Sequence, residues 1–343
     1  MENKRYSSID QLRFIAAICV AISHLIIFKK GYNINYEIIS SIAVEVFFII
    51  SGFVLAPQII NLLHQNNFKN YRVFILRRWY RTIPLYVLSL VLISILLGKL
   101  ISLDFFKYLF FIQNFITIWL NTDYFSIAWS LSVEEWFYII FPLYLILITK
   151  ISNNINVFYS CVIFILIILI IRVTFSPDDE WGQNVRRVVV YRLDSIVFGV
   201  LLFLIKNKIK DTIMTKLILF FLVCFFSMIV FEILRTNAVE QKDYFQIIFH
   251  YVVAIWGSLV VSLFFVLNKQ LKNKFFINFN LYLGKISYSI YLFHLSVIYI
   301  ISPLNLSLII SILIFLIVQI ILSTLLYYYF EKPIMKSRPK YEN

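Results

Sequence analysis

Long apolar runs separated by short charged stretches extend through this sequence from end to end. A helix that crosses a bilayer needs about 20 predominantly apolar residues. Apolar residues make up 61% of the 343-residue chain, and charged residues make up 14%. The runs predict ten spans, near 12–28, 38–61, 83–103, 127–149, 155–173, 188–205, 217–234, 246–267, 284–302 and 305–330. The expected fold is an all-α polytopic transmembrane helix bundle.

The segment 104–121 interrupts this pattern because it is aromatic and weakly charged. It could lie in the membrane interface, or re-enter the membrane without crossing it. No linker rich in Pro, Gly or Ser divides the chain. We therefore expect a single membrane domain over residues 1–343, with a basic cytoplasmic loop at 62–82 and no appended soluble domain.

The distribution of lysine and arginine predicts how the bundle is oriented. If the N-terminus is inside the cell, 20 of the 31 cations lie on the cytoplasmic side and nine on the outer side. Cytoplasmic loops of membrane proteins carry such an excess. We therefore expect both termini in the cytoplasm and the protein in the inner (plasma) membrane. The net charge of +13 is explained by orientation, without nucleic-acid binding.

Glycine and cysteine usage excludes several kinds of site. The seven glycines are at least 17 positions apart, whereas phosphate-binding loops need glycines a few residues apart. Any nucleotide-like ligand must therefore be held by cationic side chains. The three cysteines lie in apolar runs and form no recognisable disulfide or metal motif, so no metal site is expected.

Ionisable residues inside predicted spans are functional candidates, because each costs a few kcal/mol to insert. They are Arg13, His24, Glu45, Glu134, Glu135, Arg192, Asp194, Glu232 and His294. Arg13 and His24 are eleven residues apart, so they share a helix face about 16 Å apart along the axis. An extended ligand entering from the cytoplasm could contact both. Alternatively, Arg13 reaches the lipid headgroups and His24 forms a hydrogen bond inside the bundle.

Two short stretches carry further candidates. In the basic, aromatic stretch 64–84, Arg77 and Arg81 would align on a helix with Arg78 beside them, and guanidinium groups suit phosphates. The same stretch could instead bind anionic lipid. The adjacent carboxylates Glu134 and Glu135 point about 100° apart on a helix. One should therefore face the polar interior and the other an interface or a cation, unless they form part of a helix cap.

Together these motifs resemble the acyltransferase 3 family of integral membrane acyltransferases, which includes bacterial O-antigen and other polysaccharide O-acetylases. The matching segments, in the family's order, are 9–13 with His24, 44–53, 77–81 with Pro84, 129–135 with 137–138, 191–194, 284–291 with His294, and 330–333. The resemblance implies about ten spans and an acyl-CoA donor, usually acetyl-CoA, approached from the cytoplasm. It also implies an acceptor hydroxyl on a saccharide or lipid-linked glycan at the outer face.

The resemblance also implies roles for individual residues. His24 is the catalytic residue and Arg13 its partner in helix 1, while Glu134 is the acidic residue of helix 4. The family's cytoplasmic arginine motif, which would bind the donor, corresponds to Arg77, Arg78 and Arg81. Ser51-Gly52 corresponds to a turn in helix 2. One departure is Gln11, which stands where the family usually has glycine.

Acyl transfer from a thioester to an alcohol needs a base, donors for the oxyanion and exclusion of water. We expect His24 to be the base, since neutral imidazole accepts a proton near physiological pH. Glu45 or Glu134 could orient it, and Arg13 would help to hold the CoA phosphates.

Three questions stay open at the level of sequence. Transfer could be direct or could pass through an acyl-histidine. A secondary transporter or flippase for a lipid-linked saccharide is the alternative function, since buried histidine, arginine and carboxylates also build proton relays. His294, Arg192 and Asp194 could contact the acceptor, although we favour hydrogen bonding or pairing within the bundle for all three.

Overall fold

The computed structural model describes residues 5–65, 68–151, 156–175, 185–235, 243–268 and 271–341. Its α-helices are, in chain order, α1 (Ser7–Lys30), α2 (Ile34–Gln65), α3 (Phe68–Leu96), α4 (Leu103–Leu109), α5 (Ala128–Ile151), α6 (Val157–Phe175), α7 (Leu193–Ile205), α8 (Ile213–Arg235), α9 (Asp243–Asn268), α10 (Lys274–Ile301), α11 (Leu308–Leu326) and α12 (Lys332–Lys336). A π-helical turn, Tyr327–Glu331, joins α11 to α12.

Within these ranges, nine helical segments are long and apolar enough to cross a membrane. They are Ser7–Lys30, Ile34–Leu63, Lys69–Leu96, Ala128–Ile151, Val157–Phe175, Ile213–Ile233, Ile248–Asn268, Lys274–Leu304 and Leu308–Lys336. The chain is therefore a multi-pass membrane protein, and the predicted all-α bundle is confirmed.

The predicted span near 188–205 is shorter in the structure. A 3₁₀ turn, Val189–Tyr191, precedes α7, which has 13 residues. At 1.5 Å per residue α7 is about 20 Å long, less than the roughly 30 Å of a bilayer core. The backbone of Arg192 (φ −127°, ψ −3°) is not helical, so α7 begins at Leu193. The buried Arg192 side chain pairs with another helix at this point.

Two other helices begin earlier than the sequence predicts. The basic stretch 62–82, which we expected to be a loop, is helical where the structure describes it. Residues 62–65 end α2, and residues 68–82 form the first half of α3. Buried Phe74 and Ile75 anchor this half against the bundle. Helix α10 begins at Lys274 rather than near 284, and the Asn273 side chain accepts a hydrogen bond from the Phe275 N–H at its start.

The segment 104–121 does not cross the membrane. It contains the seven-residue helix α4, followed by turns. The buried carboxylate of Asp104 closes the segment by accepting the N–H groups of Asn121 and Thr122, at 3.1 and 2.9 Å. Burial alone would raise the pKa of Asp104, but these hydrogen bonds and the Lys107 ammonium hold the pKa below its usual value.

Helix α1 lies between α2 and α10, and α2 packs closely on α7. At this crossing a Cβ added to Gly52 would lie 1.9 Å from the carbonyl oxygen of Ile196, and one added to Gly199 would lie 2.0 Å from that of Ile49. Only glycine allows such an approach. The Ser51-Gly52 pair, matched above to a turn, therefore lies inside α2, and Gly52 serves helix packing.

Buried ion pairs connect the helices around this crossing. The Nη2 atom of Arg172 in α6 lies 2.9 Å from Oδ1 of Asp194 in α7, and the Tyr251 hydroxyl donates to the same carboxylate at 3.0 Å. Arg192 pairs with Glu45 in α2 and contacts His250 in α9. Pairing with neighbouring helices, the role we favoured for Arg192 and Asp194, is confirmed.

Candidate active site

A cavity of about 80 Å³ lies between α1, α2, α3, α5 and α10. Its charged lining residues are Arg13, Arg78, Arg81 and Glu134. Among the lining residues, three guanidinium groups thus face one carboxylate, which leaves an excess of two positive charges there. Glu331, outside the lining, also interacts electrostatically with Arg13 and Arg81. Much of the remaining lining is apolar or aromatic, so the cavity combines a cationic region with an apolar wall.

The cavity arginines are held by few partners. Nη2 of Arg78 donates to Oε1 of Gln58 at 2.5 Å. Arg13 and Arg81 form no hydrogen bond or ion pair with any residue that the structure describes. Guanidinium groups with unused donors suit an anionic ligand, because each offers a planar fork of N–H groups.

Arg77, the fourth predicted donor-binding residue, lies outside the cavity lining. Its Nη1 donates to the Pro339 carbonyl at 2.6 Å, and its guanidinium carbon lies 4.9 Å from the centre of the Tyr341 ring. The structure therefore brings together Arg13, Arg78 and Arg81 and places Arg77 against the segment Ser337–Tyr341.

The two adjacent glutamates face different surroundings, as their spacing predicts. Glu134 lines the cavity, where its Oε1 accepts a 2.5 Å hydrogen bond from the Ser51 hydroxyl and its Oε2 accepts one from Tyr138 at 3.3 Å. Glu135 is buried and is not among the residues that line the cavity. Glu134 is thus the carboxylate available to a ligand.

His24 is held by two side chains from other helices. Its Nδ1 lies 2.7 Å from Nε2 of His294 in α10, and its Nε2 lies 3.3 Å from the Ser40 hydroxyl in α2. Because α1 rises about 16 Å between Arg13 and His24, this histidine pair occupies a different level of the bundle from the arginines. Ser40 contacts His24 and Ser51 lines the cavity, and these two serines of α2 are also eleven residues apart. Helix α2 therefore runs antiparallel to α1 and reaches both levels.

An aromatic wall lies between the two levels. Phe47 and Tyr291 line the cavity, and their ring centres are 5.6 Å apart. Tyr291 is fixed by its hydroxyl, which lies 2.6 Å from the Ser130 hydroxyl and donates to the Ile127 carbonyl at 3.2 Å. The ring centre of Tyr291 is 6.0 Å from that of His294. His24 is not among the residues lining the cavity, and Tyr291 lies on the side of the cavity that faces the histidine pair.

Glu45 has a different partner from the one its sequence position suggested. Its Oε2 accepts from Arg192, whose guanidinium lies 5.9 Å above the Phe48 ring. The group that contacts Nδ1 of His24 is His294, not a carboxylate. Sequence reasoning left both His294 and Ser40 outside the predicted site. His294 had two signals, since it is ionisable inside a predicted span and accompanies the matched segment that begins at Gly284.

On the His24 side, a second charged cluster lies in the connection that precedes α7. Arg186 and Arg187 both pair with Glu37 of α2, and Arg187 also reaches Asp123 at 2.5 Å. Burial lowers the pKa of Arg186 to about 10, with a further contribution from neighbouring Arg187. Arg186 and Arg187 are among the nine cations that the sequence places on the outer side, and their pairing with Glu37 was not predicted.

Comparison with known proteins places this arrangement in a family. Residues 6–328 match the model of the Acyl_transf_3 acyltransferase domain. O-acetyltransferase OatA of Staphylococcus aureus is 27% identical over 370 aligned positions, covering 98% of this chain and 58% of the relative. Peptidoglycan O-acetyltransferase OatA of Listeria monocytogenes is 28% identical over 167 residues, 44% of this chain and 26% of the relative.

The chain therefore spans less than two thirds of the length of these two acetyltransferases. An uncharacterized protein of Haemophilus influenzae is 28% identical over 175 residues, 46% of this chain and 70% of the relative. No solved structure gives a significant match. Since the family model covers nearly the whole chain and its helices bring three of the matched arginines to one cavity, the chain belongs to the acyltransferase 3 family.

Proposed function

We propose that this protein is a membrane O-acyltransferase that moves an acyl group, in the first instance acetyl, from acyl-CoA to a hydroxyl of a cell-envelope glycan. The observation that carries the proposal is the cavity in which Arg13, Arg78 and Arg81 face a single carboxylate. An excess of buried positive charge is costly unless an anion binds there. CoA supplies phosphate charges, and its thioester arm is suited to the apolar part of the lining.

The placement of the two levels supports transfer across the membrane. The arginine cavity lies toward the beginning of α1, which the distribution of cations predicts to be cytoplasmic. His24, which contacts His294 of α10, lies about 16 Å further along the same helix. A donor entering from the cytoplasm would bind through its phosphates at the arginines and extend its acyl end toward His24.

Each group then has a distinct task. The arginines bind phosphate oxygens through charge-assisted hydrogen bonds, and Glu134 lies among them with Ser51 as its partner. His24 takes the proton of the acceptor hydroxyl as that oxygen attacks the acyl carbon. The wall of Phe47 and Tyr291 limits the access of water, which would otherwise hydrolyse the thioester.

The class of acceptor follows from the relatives. Two of them are named as O-acetyltransferases, and one of these acts on peptidoglycan by its name. We therefore place a glycan hydroxyl at the outer face, next to His24, and the protein in the inner membrane. The family match favours this function over the flippase alternative.

The decisive experiment compares the surface glycan of a deletion strain with that of strains carrying wild-type protein, His24→Ala or Phe28→Ala. Phe28 lies one turn beyond His24 on the same helix and is 44% exposed, so its variant controls for changes in α1. We expect the deletion to remove one type of O-acyl group. Wild type and Phe28→Ala should restore it, and His24→Ala should not.

Purified protein with radiolabelled acetyl-CoA and isolated glycan tests the donor directly. Transfer by wild type, with a rate at least about 100-fold lower for His24→Ala, would support the proposal. An unchanged glycan in the deletion strain, together with no transfer in vitro, would contradict it. Full activity of His24→Ala would overturn the role of His24.

A further inference from the structure

His294 is the residue that contacts the proposed base most closely. It lies in α10 and is 0% exposed. Its Nε2 is 2.7 Å from Nδ1 of His24, and the two imidazole rings meet edge to edge, with 5.0 Å between their centres and 22° between their planes. Neither composition nor the family motif assigns a task to this contact.

The tautomer of His294 follows from its second contact. Its Nδ1 lies 2.7 Å from the carbonyl oxygen of Tyr291. A backbone carbonyl can only accept a hydrogen bond, so Nδ1 of His294 must carry the hydrogen. This leaves Nε2 without a hydrogen whenever the ring is neutral.

The ring is neutral because its surroundings do not stabilise a cation. None of the hydrogen bonds that the structure describes joins His294 to a carboxylate, and a buried charge without a partner is costly. Its Nε2 is therefore an acceptor, and the hydrogen in the contact with His24 belongs to Nδ1 of His24. In the neutral His24 ring, Nε2 then carries a lone pair, and it accepts the hydroxyl hydrogen of Ser40 at 3.3 Å.

We propose that His294 is a positioning residue that holds His24 in the tautomer whose Nε2 is the base. The Tyr291 carbonyl orients His294, and His294 orients His24, just as an acidic residue orients the base of a catalytic triad. The expected effect of His294 on kcat rests on the proposed function, whereas the tautomer of His24 does not depend on it.

In acyl transfer, His24 carries the proton from the acceptor hydroxyl to the leaving sulfur. The acceptor O–H bond breaks and its hydrogen passes to Nε2 of His24, while the oxygen forms a bond to the acyl carbon. The C–S bond breaks with its electron pair on sulfur, and the proton then passes from His24 to sulfur to give the thiol. During the step His294 accepts from Nδ1–H of the imidazolium and does not itself become protonated.

Nitrogen NMR of protein containing ¹⁵N-labelled histidine measures the tautomer without any substrate. The chain has four histidines, and loss of signals in His24→Gln identifies those of His24. We expect wild type to show hydrogen on Nδ1 of His24 and none on Nε2. In His294→Phe we expect a mixture of tautomers. Hydrogen on Nε2 of His24 in wild type would overturn the inference, and so would an unchanged His24 tautomer in His294→Phe.

Three substitutions at His294 test the consequence for catalysis. The amide oxygen of His294→Gln can take the place of Nε2 and accept from His24, whereas His294→Asn and His294→Phe cannot. We expect kcat to stay within about tenfold of wild type for Gln and to fall at least about 100-fold for Asn and Phe. The KM for acetyl-CoA should not change, because His294 does not line the donor cavity.

A chromatographic elution profile that matches wild type, for each detergent-solubilised variant, controls for folding. Equal kcat in the Gln and Phe variants, or a change confined to KM, would contradict a positioning role. If His24→Ala is fully active, the proposed function fails, yet the NMR result still decides whether His294 sets the tautomer of His24.

Discussion

The Ser51 hydroxyl donates a 2.5 Å hydrogen bond to Oε1 of Glu134 and thereby joins the middle of α2 to α5 inside the arginine cavity. The other oxygen of this carboxylate has a longer bond, 3.3 Å, from Tyr138. Ser51 is therefore the main constraint on the orientation of the only carboxylate among the cavity lining residues.

Removal of this hydrogen bond should lower activity. A hydrogen bond to a charged group contributes about 1.5–3 kcal/mol, so we expect Ser51→Ala to reduce kcat/KM by at least about tenfold. Ser51→Thr keeps the hydroxyl and should remain close to wild type. Acyl transfer by purified protein measures both variants. Wild-type kcat/KM for Ser51→Ala would mean that the orientation of Glu134 does not matter.

Loss of a cavity arginine should weaken donor binding. Arg81 lines the cavity and forms no hydrogen bond or ion pair in the described chain, whereas Arg72 on the same helix is exposed. We expect Arg81→Ala to raise the KM for acetyl-CoA by about 10- to 100-fold, in line with one charge-assisted hydrogen bond. Arg81→Lys should recover part of the loss because it keeps the charge but not the planar fork.

Arg72→Ala is the matched control, since it removes one positive charge from the same helix. Its KM should stay within about twofold of wild type at physiological salt, because exposed charges are screened. An equal rise in KM for the Arg72 and Arg81 variants would indicate general attraction to the basic surface instead of a specific site.

Much of the bundle was predictable because the apolar runs report directly on helices that must satisfy their backbone in lipid. The pairing of intramembrane charges was not. Glu45 and His294 are both ionisable residues in apolar helices, yet one pairs with Arg192 and the other with His24. Which partner each one meets depends on helix rotation and crossing, which the pattern of apolar and charged residues does not report.

The position of Arg77 illustrates the same limit at the level of a motif. The spacing of Arg77 and Arg81 predicts neighbours on a helix, and α3 is helical there. Only the fold determines that Arg81 faces the cavity while Arg77 contacts the carbonyl of Pro339. Arg77 and Pro339 are 262 positions apart in sequence.

The choice between direct transfer and a covalent intermediate can be tested at Ser40, which lies where an acceptor hydroxyl would meet Nε2 of His24. We expect Ser40→Ala to keep kcat within about fivefold of wild type, the worth of one neutral hydrogen bond. Incubation with radiolabelled acetyl-CoA alone should leave no label on the protein. Ser41→Ala, at an equally buried neighbour, is the control. Label trapped on wild type would contradict direct transfer, and its loss in Ser40→Ala would identify Ser40 as the acyl carrier.

The buried pair of Arg172 and Asp194 should dominate the stability of the α6–α7 contact. Both side chains are almost fully buried, so removal of one partner leaves an uncompensated charge, which costs about 3–5 kcal/mol. We expect Arg172→Leu to lower the midpoint of thermal unfolding in detergent more than Arg172→Leu combined with Asp194→Leu. A double variant less stable than the single variant would show that Asp194 stabilises the protein without Arg172, through its bond from Tyr251.

The wall at Tyr291 should determine whether the thioester is used for transfer or lost to water. Tyr291→Phe keeps the ring and removes only the bonds to Ser130 and Ile127, so transfer should fall by no more than about tenfold. Tyr291→Ala removes the ring between the cavity and the His294 side chain. We expect the release of free CoA in the absence of acceptor to rise relative to transfer, because water then reaches the thioester. Release of CoA, measured with and without glycan, gives the ratio of hydrolysis to transfer. If wild type, Tyr291→Phe and Tyr291→Ala show the same ratio, the aromatic ring does not control the access of water.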